Sequence, residues 1–461
     1  PEEHDLPENL KYDMDLCLKI LRDVLNEYDP KLLTTFDTVR KYAVEASDEH
    51  FGGNTNTDED GLAEAVKIID EMNLHDAQLL ARAFATHFHL ANLSEENYRV
   101  SVLRERESEV DDINAVDPVN ELTVAYHKLI NEMGPAKAKE LLDRLEFHPV
   151  FTAHPTEARR KAVEGKIRRI SELLEQHNKL GGSDKKENSR RLYNEIDALF
   201  RTSPIALKKP TPVEEADTIL DIFDSTLFHT IPQVYRRFDD WLLGDKAGLE
   251  PPVCPAFFHP GSWIGSDRDG NPNVTAKVSR QVARKFSDHV VSALEEATRT
   301  VGRNLTMEAG TTPASTELKD LWNHQKEMSE RLTEKAALIS SKELHRAVML
   351  VMADRLHYTV VRDADLMYHS CEDFIADLKT VQRSLAAAGA KRSAYGPLQD
   401  LIWQAETFGF HMVEMEFRQH SVVHSRALED IREHGLHGER GELQPMTHEV
   451  LDTFRALGSI Q

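Results

Sequence analysis

Apolar residues recur every three to four positions along most of this chain, the period of amphipathic helices. In DLCLKILRDVLNEY, Leu16, Ile20, Val24 and Leu25 fall on one stripe. The same spacing returns in DAQLLARAFATHFHLANLSEENY and NELTVAYHKLINEM, and a helix opening near Arg159 carries Val163, Ile167, Ile170 and Leu174. The polar stretches SDEHFGGNTNTDEDG and KLGGSDKKENS read as loops, as does LHGERGELQPM. Pro204, Pro210 and Pro212 break the helical pattern between them. No repeat at a solenoid period is visible.

Period-two stretches are few. VFTA (150–153) and PAFFH (255–259) read as short buried strands. HMVEMEFRQ is the most regular, with Val413, Met415 and Phe417 alternating with Glu414, Glu416 and Arg418. Long helical stretches separate the three, an order that predicts parallel strands in an α/β architecture. Each strand runs into an unusual polar segment, and in α/β barrels the working residues sit at the carboxyl ends of strands. Three strands cannot close such a barrel, which needs eight.

Composition narrows the function. The chain has 461 residues, 40% of them apolar, enough for a large core. A net charge of −23 repels nucleic acid and anionic membranes, so neither is an expected partner. No apolar run reaches transmembrane length and no signal peptide opens the chain, whose first residue, Pro1, suggests a processed or truncated start. Cys17, Cys254 and Cys371 stand far apart without metal-like spacing, which points to a reducing, cytoplasmic setting.

Three segments carry candidate chemistry. In PVFTAHPTEARRKAV, His154 ends a strand and Arg159, Arg160 and Lys161 open a helix. Free N–H groups at a helix start together with three cations make an anion pocket, and a histidine beside it can move a proton near neutral pH. A satisfied structural histidine beside a solvated basic turn would look the same. In GSWIGSDRDGNPNVT, glycines 261, 265 and 270 let the backbone approach a ligand, and Trp263 could wall it off from water. No Gly-Lys-Ser/Thr follows, so it is not a P-loop, and Pro272 and Val278 occupy positions where an EF-hand needs glycine and glutamate. An ordinary turn with Asp and Asn bonding their own backbone stays open. In MEFRQHSVVHS, Arg418 shares a strand face with Glu416 and Glu414. It is either a structural ion pair or a guanidinium held by carboxylates so that it can fork onto a phosphate. His420 and His424 stand four apart, with no third metal ligand in sight.

Together these segments resemble the phosphoenolpyruvate carboxylase family. VFTAHPTEARRK (150–161) matches its first signature at every defined position, and SWIGSDRDGNPNVT (the Gly261–Pro272 motif and its continuation) matches its glycine loop, with Ser266 in place of the usual glycine. RQHS looks like its arginine strand, with His420 where an acidic residue is usual, and KPTP (209–212) also fits. FRTSPI (200–205) departs from the usual acidic pattern, and the loop after His434 is shorter than in the family. The resemblance implies an α/β, predominantly helical fold: part of a (β/α)8 TIM-type barrel with many extra α-helices, with a helical region over 1–145 and the first part of the barrel over 146–461. It implies His154 as the catalytic base, Arg418 as the phosphate-binding arginine, Trp263 as the wall that keeps the centre dry, and Arg159, Arg160 and Arg268 as further substrate-binding cations. The implied substrates are phosphoenolpyruvate and bicarbonate, the cofactor Mg2+, and the assembly a homo-oligomer, a tetramer by family resemblance. The chain looks like the N-terminal half of such an enzyme. Metal ligands are expected in a C-terminal half not contained here, and the fragment alone is expected to be inactive even with saturating magnesium. Two rivals are a helical binding or assembly domain with decayed motifs, against which intact TAHPT and DRDGNP argue, and a kinase, against which the absence of a nucleotide loop argues.

Overall fold

The computed structural model describes residues 7–51, 58–108, 122–152, 161–203 and 210–460. They divide into two compact units, one drawn from residues 1–128 and 156–209, the other from 129–155 and 210–461.

The first unit is a helical assembly. Helices Glu8–Tyr28, Pro30–Phe51, Asp58–Asp70 and Leu74–Ser108 precede Lys161–His177 and Gly182–Arg201. The stripe read from the sequence faces its core: Ile20, Val24 and Leu25 are fully buried and Leu16 packs against them. Val163, Ile170 and Leu174 join the same cluster, with Ile167 half-buried beside it. Two expected loops are shorter than their composition suggested. Helix Pro30–Phe51 takes in SDEHF, and Gly182–Arg201 starts inside KLGGSDKKENS. In the second case the polar residues form a solvated helix face, with Glu187 paired to Arg190 and Arg191, while Asn188 turns inward and donates to the Leu173 carbonyl at 3.1 Å. A polar run says loop only when none of it has to be buried.

The second unit contains the sheet. Strands β1 (Val150–Phe151), β2 (Gly261–Ser262) and β3 (Glu414–Met415) lie in the order β1-β2-β3, all parallel. Val150 pairs with Gly261 and Gly261 with Glu414. Parallel neighbours need long crossovers, and helices supply them here. Pro212–Ile222 and Phe228–Leu243 lie between β1 and β2, and seven helices, beginning with Ala276–Asn304 and ending with Pro397–Phe408, lie between β2 and β3. Thr211 caps the first of these in a capping box with Glu214, and Pro212 takes the N1 position, so the proline that ends one pattern begins the next helix.

The second strand falls later than expected. PAFFH contributes only a bridge, Phe258 to Phe147, and pairing starts at Gly261. Pro255 and Pro260 have no N–H to donate, and the phenylalanines are taken by the core. Phe257 packs edge-on against Tyr235 at 5.1 Å, and Phe258 packs at a tilt against Phe147 at 5.7 Å. The Tyr235 hydroxyl accepts the Phe258 N–H at 3.2 Å, and Trp403 donates its indole N–H to the Cys254 carbonyl at 3.3 Å, so two helices hold the chain that leads into β2. In the third strand the alternation holds. Val413 is buried, Met415 and Phe417 are half-buried, and Glu414, Glu416 and Arg418 are exposed. Pairing covers two residues, and the chain rejoins the sheet edge at Arg418, opposite Asp267.

All three cysteines are buried free thiols, and burial pushes those of Cys17 and Cys371 up to about 12. Among the described residues no helix is long and apolar enough to cross a membrane.

One buried network makes the second unit sensitive to acid. The Ser384 hydroxyl accepts the Ser315 N–H at 2.9 Å and shares a hydrogen bond with His345 Nε2 at 2.8 Å, in a buried setting that favours the neutral ring. Burial lowers the His345 pKa from 6.5 to about 4. The folded value lies below the unfolded one, so the stability gained from the neutral ring is complete above about pH 6.5 and is lost as pH falls through about 4. In urea unfolding, the stability advantage of the native protein over His345→Gln should shrink across that interval. A pH-independent difference would show that the ring titrates alike in the folded and unfolded chain, which would refute the shift.

Candidate anion-binding site

Because the three strands are parallel, their carboxyl ends share one edge of the sheet. His154, Arg159 and Arg160, which follow β1 in sequence, lie outside the described residues, as do Pro204 to Lys209. The site described here is therefore built from the segments after β2 and β3.

The glycine loop leaves β2 at Ser262. Its buried hydroxyl accepts the Ile264 N–H at 3.1 Å, and the Trp263 carbonyl accepts from both Ser266 and Asp267 at 3.0 Å. Gly265 and Gly270 have φ of +73° and +70°, the left-handed region that glycine enters at no steric cost. Asp269 and Asn273 donate their N–H groups to Asp267 Oδ1 and Asn271 Oδ1, the self-bonded turns anticipated from composition. Thr275 then caps helix Ala276–Asn304. At Ser266 the φ is not positive, so a side chain is tolerated where the family usually has glycine, and the residue is fully buried.

Two backbone hydrogen bonds tie this loop to the extension of β3. Arg418 donates its N–H to Ser266 O at 3.2 Å, and Arg268 donates to Arg418 O at 2.9 Å. The two arginines then diverge. Arg268 is buried, gives Nη1 to Ser266 O at 3.0 Å and Nη2 to the Ser279 hydroxyl at 2.7 Å, and lies over the Phe417 ring. Burial lowers its pKa, and its Nε has no partner among the described residues. Arg418 is exposed, with its guanidinium 4.4 Å from the centre of the Trp263 ring.

The carboxylates are not where the strand pattern put them. Glu416 accepts the Trp263 indole N–H at 2.5 Å, and Glu414 Oε2 lies 3.5 Å from His148 Nδ1. Neither pairs with Arg418, which makes no ion pair or side-chain hydrogen bond among the described residues. A shared strand face was enough to suggest an Arg–Glu pair, but the indole N–H reaches Glu416 first. Sequence reasoning also missed His148, whose ring stacks on His259 at 4.8 Å and faces Glu146 and Glu414 near the amino ends of the strands. Only the sheet register brings these four together. His420 caps helix Ser421–His434 by accepting the Val422 N–H at 3.2 Å, which an acidic side chain would do equally well, and His424 packs near Phe454.

These features define a helix-rich α/β protein with an exposed, aromatic-backed arginine at the carboxyl edge of a parallel sheet. The family model of phosphoenolpyruvate carboxylase matches residues 10–450, and the chain belongs to that family. It is 32% identical to the phosphoenolpyruvate carboxylase of Roseiflexus castenholzii, covering 86% of this chain and 46% of that protein. The enzyme of the same name from Synechococcus is 31% identical over 80% of this chain and 40% of its own length. That of Bradyrhizobium diazoefficiens is 28% identical over 98% and 48%. The chain thus spans about half the length of the curated relatives it matches.

Proposed function

We propose that this chain carries the phosphate-binding and base-bearing part of a phosphoenolpyruvate carboxylase active site. In that reaction bicarbonate attacks the phosphorus of phosphoenolpyruvate to give carboxyphosphate and an enolate. Carboxyphosphate breaks to carbon dioxide and phosphate, and the enolate captures carbon dioxide to form oxaloacetate. The observation that carries this reading is the Arg418 guanidinium, stacked on the Trp263 ring and making no ion pair or side-chain hydrogen bond among the described residues. Every reactant is anionic, and a planar fork of free donors is suited to two phosphate oxygens at once. Trp263 shields the same place from water, which would otherwise protonate the enolate. His154 is proposed as the base that assists carboxyphosphate breakdown, and Arg159, Arg160 and Arg268 as the surrounding positive charge.

The rest of the reading extends from family membership. Three parallel strands joined by helices fit part of a (β/α)8 barrel over 146–461, after a helical region over 1–145. Assembly as a homo-oligomer and a cytoplasmic setting belong to the same proposal. Magnesium chemistry does not fit the described residues: they contain no group of three His, Cys, Asp or Glu side chains able to hold a metal, and Glu414 and Glu416 are engaged by His148 and Trp263. No step is therefore assigned to a metal on this chain.

His154→Asn in the complete enzyme tests the reading. Asparagine keeps much of the shape but cannot accept a proton, so oxaloacetate formation, followed by its reduction to malate, should be abolished while some phosphate release persists. Retention of more than about a tenth of the wild-type rate, a loss of less than ~1.4 kcal/mol, would remove the base role.

A further inference from the structure

We infer that Glu416 is a positioning residue of this site, acting on Arg418 through Trp263; the inference rests on the phosphate-binding reading of Arg418. The observations form a chain. The Glu416 N–H is fixed to Ser262 O at 3.0 Å, so its side chain leaves the sheet from a set register. Its carboxylate takes the Trp263 indole N–H at 2.5 Å, and the ring so held lies under the Arg418 guanidinium at 4.4 Å.

Two consequences follow from ordinary side-chain chemistry. First, Trp263 is only half-buried, so packing alone does not lock its ring, whereas a hydrogen bond to an ionised acceptor is about twice as strong as a neutral one and fixes the ring plane. A fixed ring orients the guanidinium by stacking, which uses none of its N–H donors. Second, the indole N–H holds Glu416 Oε2 toward Trp263, and the carboxylate forms no ion pair with Arg418 among the described residues. A carboxylate two residues away on the same exposed strand face would otherwise compete with a phosphate for the Arg418 fork. Glu416 therefore orients the arginine without neutralising it.

The test combines a spectroscopic and a binding readout. The sequence has four tryptophans, so the Trp263 indole N–H resonance can be assigned by its loss in Trp263→Phe. In Glu416→Ala that resonance should move upfield, away from its strongly hydrogen-bonded position. Phosphoenolpyruvate binding should weaken about tenfold, with an unchanged urea midpoint because Glu416 is exposed. Glu416→Gln, which keeps an acceptor oxygen, should recover binding to within about threefold of wild type. In the Trp263→Phe background, Glu416→Ala should no longer weaken binding, since the route to Arg418 is gone. An indole resonance unmoved by Glu416→Ala, or full additivity of the two substitutions, overturns the inference. If instead Arg418→Ala leaves phosphoenolpyruvate binding intact, the phosphate-binding reading falls, and the indole shift still reports whether Glu416 holds the ring.

Discussion

Arg418→Lys weakens phosphoenolpyruvate binding by at least about tenfold, ~1.4 kcal/mol, and leaves the fold intact. The charge is kept, so a merely electrostatic role would survive the change. What is lost is the planar fork and its stack on Trp263. Lysine presents a compact, strongly hydrated point charge on a flexible stem, which cannot span two phosphate oxygens in a set plane. Its freed stem would also let the ammonium fall back on Glu416, two residues away. Stability should change by less than about 0.5 kcal/mol, because Arg418 is exposed and makes no ion pair among the described residues. Titration with phosphoenolpyruvate and urea unfolding separate the two effects. Unchanged affinity and turnover would reduce Arg418 to a surface residue.

Gly265→Ala strikes the other support of the site, with the opposite signature. An added Cβ would stand 2.6 Å from Val282 Cγ2 and 2.8 Å from its Cβ. Val282 is completely buried and β-branched, with little rotamer freedom to yield. The backbone conflicts too, since φ is +73°. A left-handed conformation costs an L-residue about 1–2 kcal/mol, and overpacking a filled core about 1–3 kcal/mol. A loss of about 2–5 kcal/mol is therefore expected, read as a lower urea midpoint at unchanged slope. The Gly265 carbonyl also accepts from Ser279, which in turn accepts from Arg268, so a shifted Gly265 loosens the loop that presents Trp263. Gly270→Ala is the control. Its φ is +70° but nothing lies within 4 Å of the added carbon, so only the backbone cost applies, about 1–2 kcal/mol. Equal losses at both glycines would refute the packing argument.

The residues that matter differ in how visibly the chain advertises them. Trp263, Gly265 and Arg418 stand out in sequence because each is unusual for its place: an indole in a glycine loop, a glycine before a polar run, a cation ending an alternating strand. Glu416 does not stand out. Alternation placed it beside Arg418 and suggested a salt bridge, since spacing along one strand is all that alternation reports. The indole that claims it comes from 153 residues away in the chain. The late start of β2 has a similar cause. PAFFH has the composition of a strand, but pairing requires donors at the right positions and side chains not already committed to Tyr235 and Phe147.

By itself the sequence determined the helical stripes, the parallel order of three short strands separated by helices, the glycine loop, and membership of the phosphoenolpyruvate carboxylase family, because period, turn chemistry and signature motifs are local properties. Only the tertiary structure decided which carboxylate meets which donor, that Arg418 lies exposed on Trp263 while Arg268 is buried on Phe417, and that Gly265 is wedged against Val282. Those pairings depend on sheet register and on competition between partners far apart in the chain. A side chain with several possible partners goes to the one that the fold brings within hydrogen-bond or van der Waals distance.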